Sequence, residues 1–323
     1  QRMERKVCES IQQVGKVCRQ IETRFCRMKQ VVFISGKGGT GKSTLVLSLS
    51  ILVEDKVIAD CDVDAPNLHI LLKGNVLKKE DYFGAKEAII NESSCVKCGA
   101  CRYVCRFNAI SEDIKIIPMK CEGCGACALT CPRNAIRLEE VKTGETYVSS
   151  TDRGTFSHAM PDIGAEGSGK LVTEVRKNIY NHRNDEKWVL IDGSPGIGCV
   201  IIASITGTDA VVAVAEPTKS GLSDLKRVLG VARHFDIPAF VCINKYDLNR
   251  EVSLEIEDFC KENDFPVIGK IPFDPSIVKA LQEFKTPVEA GNSRITGIIK
   301  DLWKRLENEI EKLDDKMVKF EAN

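Results

Sequence analysis

Clustered cysteines are the first feature of this sequence that could do chemistry. Eight of the chain's 15 cysteines form two runs, residues 95–105 and 121–131, that share the spacing Cys-x₂-Cys-x₂-Cys-x₃-Cys. Each run is followed after two residues by Asn-Ala-Ile, so the two halves of this segment repeat. In a chain with no apolar signal segment, such spacing indicates metal ligation rather than disulfide bonds. The candidate ligands are Cys95, Cys98, Cys101, Cys105, Cys121, Cys124, Cys127 and Cys131.

A glycine-rich loop provides a second kind of chemistry. It lies between an apolar strand at 31–34 and an apolar helix that begins at Thr44. Glycines allow successive backbone N–H groups to curl around phosphate groups at the N-terminus of a helix. We expect Lys42 to reach the β- and γ-phosphates of a nucleotide and Ser43 to offer its hydroxyl to Mg²⁺. The candidate phosphate site is Gly36, Lys37, Gly38, Gly39, Thr40, Gly41, Lys42, Ser43 and Thr44.

The order of residues in this loop resembles that of a known family. Lys-Gly-Gly-Thr-Gly-Lys-Ser at 37–43 is similar to the deviant Walker A motif of the MinD, ParA, Mrp and nitrogenase iron protein group, the SIMIBI class of P-loop ATPases. The resemblance covers about residues 28–290 and implies Mg²⁺-dependent ATP hydrolysis. It also implies that Lys37 crosses a dimer interface to the partner's phosphates and acts there like an arginine finger. The expected partner chain is a second copy or a paralogous ATPase.

Aspartates at the ends of two apolar strands match the switch segments of that family. Asp60 and Asp62 follow the strand at 57–59, and Asp192 follows the strand at 187–191. The resemblance implies that Asp62 orients the attacking water, that Asp60 supports the magnesium shell and that Asp192 holds a magnesium-bound water. The expected catalytic residues are therefore Lys37, Lys42, Asp62 and Asp192.

The residues expected to bind the base come from the same resemblance. Asn244 follows the strand at 239–243, where family members place an asparagine on adenine. Pro272 and Asp274 occupy the segment that closes over the base. The sequence Asn-Lys-Tyr-Asp at 244–247 also resembles the guanine-reading motif of GTPases. Because Lys37 is typical of the ATPase group, we expect ATP rather than GTP.

The cysteine runs resemble those of bacterial ferredoxins that hold two [4Fe–4S] clusters. In that arrangement the fourth cysteine of each run ligates the other cluster. Arg106 stands where the ferredoxins have a proline, which perturbs a turn but removes no ligand. Zinc is the alternative, since paired Cys-x₂-Cys motifs also bind zinc, but the duplicated run favours iron. The implied ligand sets are Cys95, Cys98, Cys101 and Cys131 for one cluster, and Cys121, Cys124, Cys127 and Cys105 for the other.

The ferredoxin-like segment is basic although the whole chain is neutral. Residues 95–138 contain seven Lys and Arg against three Asp and Glu. Cations near a cluster favour its reduced form, because reduction adds negative charge. We therefore expect potentials less negative than those of an acidic ferredoxin with equally buried clusters.

Cys199 is a further candidate ligand. It lies seven residues after Asp192, the offset at which the nitrogenase iron protein has a cysteine that ligates a cluster bridging its dimer. The hypothesis is an additional metal site across a dimer interface. That protein uses a second cysteine per subunit, and residues 132–198 contain none. The alternative interpretation is a buried thiol.

The candidate nucleotide-binding residues lie at the ends of apolar strands that alternate with helices along the chain. Strand patterns occur at 31–34, 57–59, 187–191, 210–215, 239–243 and 266–271, and helical patterns at 169–183, 221–235, 251–263 and 276–284. The alternation predicts an α/β fold with a mostly parallel, doubly wound sheet. The ferredoxin-like segment interrupts this pattern as an inserted small α+β domain. The predicted parts are a dispensable extension 1–27, an ATPase domain 28–92 with 139–323, and an inserted domain 93–138.

Composition and charge exclude several classes of function. Lys plus Arg and Asp plus Glu number 46 each, so no basic excess indicates a nucleic-acid partner. No apolar run of about 18 residues occurs, and the expected location is the cytoplasm. The apolar stripe at 295–317 is flanked by six basic and seven acidic residues at 300–321, which favours core packing or a helix–helix contact over a membrane anchor. His158 and Lys170 are candidates to which the sequence assigns no mechanism.

Together these features predict an ATPase that couples its nucleotide cycle to electron transfer through two [4Fe–4S] clusters. The insertion lies between the switch segments, so motion that depends on the γ-phosphate would reposition the clusters relative to a redox partner. The alternative is a carrier or assembly factor that delivers iron–sulfur clusters or metals to a client metalloprotein.

Overall fold

The computed structural model describes residues 28–165, 167–182 and 184–321, and the side chains as far as residue 315. The predicted extension 1–27 lies outside the described residues. The chain forms two compact units. Of the described residues, the first unit contains 28–79, Tyr147–Ala159 and those from Gly167 onward, and the second contains Glu80–Thr146 and 160–165.

Strands and helices alternate along most of the chain. The strands are β1 (Lys29–Ser35), β2 (Lys56–Cys61), β3 (Gly74–Tyr82), β4 (Ala85–Ile90), β5 (Ile136–Val141), β6 (Gly144–Thr151), β7 (Gly154–Pro161), β8 (Trp188–Pro195), β9 (Ala210–Ala215), β10 (Ala239–Asn244) and β11 (Val267–Ile271). The helices are α1 (Lys42–Leu52), α2 (Ala100–Val104), α3 (Ala126–Thr130), α4 (Gly169–Asn181), α5 (Cys199–Ile205), α6 (Lys219–His234), α7 (Arg250–Glu262), α8 (Pro275–Gln282) and α9 (Ser293–Glu321).

The large sheet has the strand order β11-β10-β9-β1-β8-β2-β7-β6-β3. Neighbouring strands from β11 to β7 pair in parallel. The central strands β1 and β9 consist almost entirely of buried residues, which is typical of a parallel sheet with both faces covered. The predicted α/β fold with a mostly parallel sheet is confirmed.

Three strands of this sheet, β3, β6 and β7, carry no clear sequence signal. β3 is an edge strand whose residues are almost all exposed, including Val76 and Leu77. It therefore lacks the apolar alternation that marks a half-buried strand. The boundary between the two units falls within all three strands. The chain thus enters and leaves the second unit along strands.

The second unit is built around the two cysteine runs. β4 and β5 pair antiparallel, with Ala85 opposite Val141 and Ile90 opposite Ile136. The unit is larger than the predicted inserted domain 93–138, because these strands lie on either side of the runs and complete a small apolar core. The buried members of this core are Ala88, Cys101, Ile110, Cys127 and Ile136.

The C-terminal helix α9 packs its apolar stripe into the main core, as the sequence predicts. Trp303 on this helix meets Trp188 edge to face, with ring centroids 4.9 Å apart. The side chain of Met317 lies outside the described part of the chain. Within the ranges that the structure describes, no helix has both the length and the apolar character that crossing a membrane requires. The buried stripe residues are Ile295, Ile299, Leu302, Leu306 and Ile310.

Candidate functional site

The glycine-rich loop connects β1 to α1. Helix α1 begins at Lys42, directly after Gly41, whose φ is +89°. A Cβ on Gly41 would lie 2.2 Å from Asn244 Nδ2, and the positive φ also disfavours a side chain there. The Nδ2 group of Asn244 donates to the Thr40 carbonyl at 2.7 Å. This contact joins the loop to the end of β10.

Lys42 lies among the aspartates of the two switch segments. Its Nζ atom is 2.6 Å from Asp192 Oδ1 and 3.5 Å from Asp62 Oδ2. Asp60 on β2 is aligned with Asp192 on β8 in the parallel register. All four side chains are buried. Parallel strands bring their carboxyl ends to one edge of the sheet, which is where ligands of such folds bind.

Burial and mutual charge both shift the pKa values of this group. Burial acts to lower the pKa of Lys42, but Asp192 and Asp62 outweigh it and the pKa is raised. Burial and then Asp192 raise the pKa of Asp60 to about 8, against the opposing effect of the backbone N–H of Leu68. Burial likewise raises the pKa of Asp62. Three carboxyl groups lie around one cation, and the raised pKa values of Asp60 and Asp62 mean that a further positive charge would favour their ionised forms.

Two buried carboxylate oxygens of this site have no hydrogen-bond partner. They are Asp62 Oδ1 and Asp192 Oδ2. The hydroxyl of Thr40 is also buried without a hydrogen-bond partner. Buried polar atoms are normally satisfied, and carboxylate oxygens of this kind suit a Mg²⁺ ion that keeps several of its waters. The hydroxyl of Ser43 lies 3.5 Å from Lys42 Nζ. The residues therefore fit a magnesium nucleotide.

Lys37 contacts a carboxylate that no sequence motif marks. Its Nζ atom is 3.5 Å from Glu216 Oε2 and 3.4 Å from Thr218 Oγ1. Glu216 also pairs with Lys245, whose Nζ donates to the Gly39 carbonyl at 3.2 Å. One signal for Glu216 was present in the sequence, since it directly follows the apolar strand β9 that neighbours β1. The side chain of Lys37 is 35% exposed and so remains accessible to a second chain.

An apolar cavity lies beside the glycine-rich loop. Asp247 Oδ1 accepts the backbone N–H of Phe273 at 2.7 Å, and Asp274 caps α8 by accepting the N–H of Ser276 at 2.9 Å. Asp247 thus fixes the backbone of the segment that lines the cavity, and it is not itself among the lining residues. The cavity brings the expected base-binding residues together: its lining includes Gly39, Gly41, Thr44, Asn244, Pro272, Phe273 and Asp274.

The fold and this site define a family. Residues 31–288 match the CobQ/CobB/MinD/ParA nucleotide binding domain, and the chain belongs to this family. The protein is therefore a nucleotide-binding ATPase of the MinD/ParA type, which confirms that resemblance.

The chain is also similar to relatives and to solved structures of the same fold. The uncharacterized protein MJ0578 of Methanocaldococcus jannaschii is 33% identical, with 86% of this chain and 96% of that protein covered. The uncharacterized protein MJ0579 of the same organism is 30% identical, with 78% and 88% covered. The septum site-determining protein MinD of Pyrococcus horikoshii, solved with Mg-ADP, has a similar fold. Its TM-score is 0.52 at 18% identity, with 85% of this chain and 94% of that chain covered.

Two small cavities in the second unit are each lined by four cysteines. The first cysteine site is formed by Cys95, Cys98, Cys101 and Cys131. The second cysteine site is formed by Cys105, Cys121, Cys124 and Cys127. Each quartet takes three cysteines from one run and the fourth from the other, as in ferredoxins with two clusters.

Each cysteine site offers four thiols around one small cavity, which is the number of protein ligands that a [4Fe–4S] cluster takes. Backbone N–H groups donate to Cys95 and Cys131 at the first site, and to Cys105 and Cys121 at the second. Hydrogen bonds to sulfur are among the features by which proteins tune iron–sulfur clusters. The donor sets therefore fit two such clusters.

Cys199 is exposed at the first position of α5, so its interpretation as a buried thiol is wrong. A metal site across a dimer interface stays a prediction. Cys61, Cys242 and Cys260 are buried in the first unit, and burial raises the pKa of each thiol to about 12. These three thiols stay protonated at neutral pH and have no expected reactivity.

His158 lies in an aromatic stack on β7. Its ring stacks with those of His69, Tyr147 and Phe156, at centroid distances of 5.5, 5.0 and 4.7 Å. Burial and, to a lesser extent, His69 lower the pKa of His158 to about 4. Lys170, the other residue without an assigned mechanism, is exposed on α4. The stack indicates a structural role for His158.

A His158→Phe variant should lose part of the fold's acid sensitivity. The unfolded imidazole binds its proton near pH 6.5 and the folded one only near pH 4. The contribution of neutral His158 to stability is therefore complete above the unfolded pKa and is lost as the pH falls through the folded pKa, about 3 kcal/mol in all. Phenylalanine keeps the stacking but does not titrate. The free energy of unfolding of the variant, measured by urea titration, should therefore fall less between pH 7.5 and pH 4.5 than that of the parent. His234 is exposed, so a His234→Phe control should show the same pH dependence of unfolding as the parent. The same pH dependence in His158→Phe and in the parent would contradict the prediction.

Proposed function

We propose that this chain is one subunit of an ATP-hydrolysing dimer that couples its nucleotide cycle to electron transfer through two [4Fe–4S] clusters. The observation that carries the proposal is the pair of crossed cysteine quartets in a chain of the MinD/ParA family. Crossed ligation is the pattern of two adjacent [4Fe–4S] clusters. Such clusters, when bound, take up and release single electrons.

The nucleotide site supports magnesium-dependent hydrolysis. Lys42 would exchange its contact with Asp192 for the β- and γ-phosphates. With magnesium bound, Asp192 would hold one of its waters with support from Asp60, and Ser43 would offer its hydroxyl as a ligand. The partnerless oxygen of Asp62 supports a role in orienting the attacking water. The apolar cavity beside the loop would take the adenine ring.

Continuous strands support coupling between the switch segments and the clusters. β2 ends at Cys61, between Asp60 and Asp62, and pairs with β7, which continues into the second unit. Asp60 also accepts the backbone N–H groups of Asn67 and Leu68, in the segment that leads to β3. A γ-phosphate that shifts the switch aspartates would therefore act on strands that lead to the cysteine sites.

Coupling predicts that the nucleotide changes the redox behaviour of the clusters. Protein purified without oxygen should contain about eight irons per chain. Its midpoint potentials, or its rate of electron transfer to a dye, should differ between ADP and a non-hydrolysable ATP analogue, as measured by EPR-monitored titration and stopped flow. A Lys42→Gln control should lose this response. Potentials and rates that are the same in both nucleotides contradict the coupling.

A carrier of iron–sulfur clusters is the second candidate function, and the exposure of Cys199 favours it. A carrier should lose iron to an apo-ferredoxin acceptor during ATP hydrolysis. An electron-transfer protein should retain its iron under the same conditions. The iron content of the chain after turnover separates the two functions.

The expected partners are a second ATPase chain and a redox or client metalloprotein. A homodimer is the simplest assembly for this family's chemistry. The presence of two related proteins in one organism supports a heterodimer with a paralogous ATPase as the alternative. Size-exclusion chromatography with light scattering, with and without ATP, would measure self-association directly.

A further inference from the structure

The two halves of the cysteine repeat differ in charge at equivalent positions. Counted from the cysteines, Val96 in the first run corresponds to Glu122 in the second, and Phe107 corresponds to Arg133. Val96 and Arg133 line the first cysteine site, whereas Glu122 and Phe107 line the second. Because the ligation is crossed, the lining of the first site contains a cation and no anion. The lining of the second contains an anion and no cation.

Other features that tune a cluster are matched between the two sites. In each quartet the first cysteine of one run and the fourth cysteine of the other accept a backbone N–H group. Cys101 and Cys127, the third cysteines of their runs, are both buried, and Cys98 and Cys124, the second, are both exposed. Hydrogen bonds to sulfur and solvent exposure are the other main determinants of potential. Among the residues that line the two cavities, charge is therefore the main difference between the sites.

We propose that Arg133 and Glu122 make the two cysteine sites inequivalent, so that the first electron taken up by the chain resides at the first site. This inference rests on the proposed function, because it requires a [4Fe–4S] cluster at both sites. Reduction transfers one electron from a donor such as dithionite and adds one negative charge to the cluster, and it breaks no bond. Arg133 stabilises that added charge, and Glu122 opposes it.

The inequivalence favours electron transfer within the second unit from the second cysteine site to the first. An electron that arrives at the second site lowers its free energy by moving to the first, where Arg133 lies. One site is oxidised and the other reduced by the same electron, so charge balances within the unit. Both charged side chains are exposed, so solvent and salt weaken the difference, and it should be largest at low ionic strength.

The test is a redox titration with dithionite, followed by EPR, on the full chain purified without oxygen. The parent should show two midpoint potentials. Arg133→Gln should move only the higher potential to a more negative value, and Glu122→Gln should move only the lower one to a less negative value. Lys115→Gln is the matched control, because Lys115 lies in the second unit between the two runs but lines neither cavity. It should shift both potentials slightly and by similar amounts.

The converse variant Phe107→Arg adds a cation at the second site and should bring the two potentials together. One shared potential in the parent, or a shift of the lower potential in Arg133→Gln, overturns the inference. Iron analysis of every variant separates this failure from failure of the proposed function. A parent with about eight irons and equal potentials overturns only the inequivalence. A parent without both clusters overturns the proposed function and the inference together.

Discussion

A Cys98→Ala/Cys131→Ala double variant should retain one of two clusters, and a Cys98→Ala/Cys105→Ala double variant should retain neither. Cys98 and Cys131 line the same site although they belong to different runs, whereas Cys105 lines the other site. A [4Fe–4S] cluster that loses protein ligands is released or degraded, so damage confined to one site spares the other. Iron analysis should give about four irons per chain for the first variant and almost none for the second.

The two double variants control for each other. Each removes two thiols from the second unit, and Cys98 is common to both, so a general loss of folding would strip both variants of iron. Cys260→Ala removes a buried thiol of the first unit and should retain the full iron content. If ligation stayed within each run, the results would be exchanged: the Cys98/Cys105 variant would keep one cluster and the Cys98/Cys131 variant would keep none. That exchange would exclude crossed ligation.

The cysteine sites could be predicted from the sequence because they depend on local spacing, whereas the extent of the unit around them could not. A Cys-x₂-Cys-x₂-Cys run fixes its own ligand geometry over a few residues, so spacing alone carries the information. β4 and β5 have no such signal, since their pairing depends on residues far apart in the chain, such as Ala85 and Val141. For the same reason, the predicted boundary 93–138 stops short of the strands that complete the core.

The nucleotide site also contains both residues that the sequence predicts and a residue that it does not. Asp60 and Asp192 are readable because each lies at the carboxyl end of an apolar strand, and a parallel sheet brings such ends together. Glu216 lies at the same edge, but no motif distinguishes it from other strand-terminal carboxylates. Its contacts with Lys37 and Lys245 depend on where two loops lie in space. Tertiary contacts between short polar segments leave no periodic trace in the sequence.

Mixing a Lys37→Ala variant with an Asp62→Asn variant should restore ATP hydrolysis that neither shows alone. Within one chain Lys37 pairs with Glu216 at 3.5 Å, with both side chains partly exposed. Such pairs contribute only about 0–1 kcal/mol, so Lys37 can leave for a partner's phosphates at little cost. Each variant alone should lose about 10³-fold or more in rate, as removal of an arginine finger does. A mixed dimer has one intact site, and random mixing should recover about a quarter of the parent rate.

The complementary mixture tests whether Lys37 acts across the interface. It combines the parent chain with a Lys37→Ala/Asp62→Asn double variant, after subunit exchange and at constant total protomer concentration. If Lys37 acts on the partner, a mixed dimer has no intact site, because the parent protomer lacks a lysine from its partner and the other protomer lacks Asp62. Phosphate release should then fall to about a quarter of the parent rate. If Lys37 acts within its own chain, the rate should fall only to about half, and the first mixture should recover nothing.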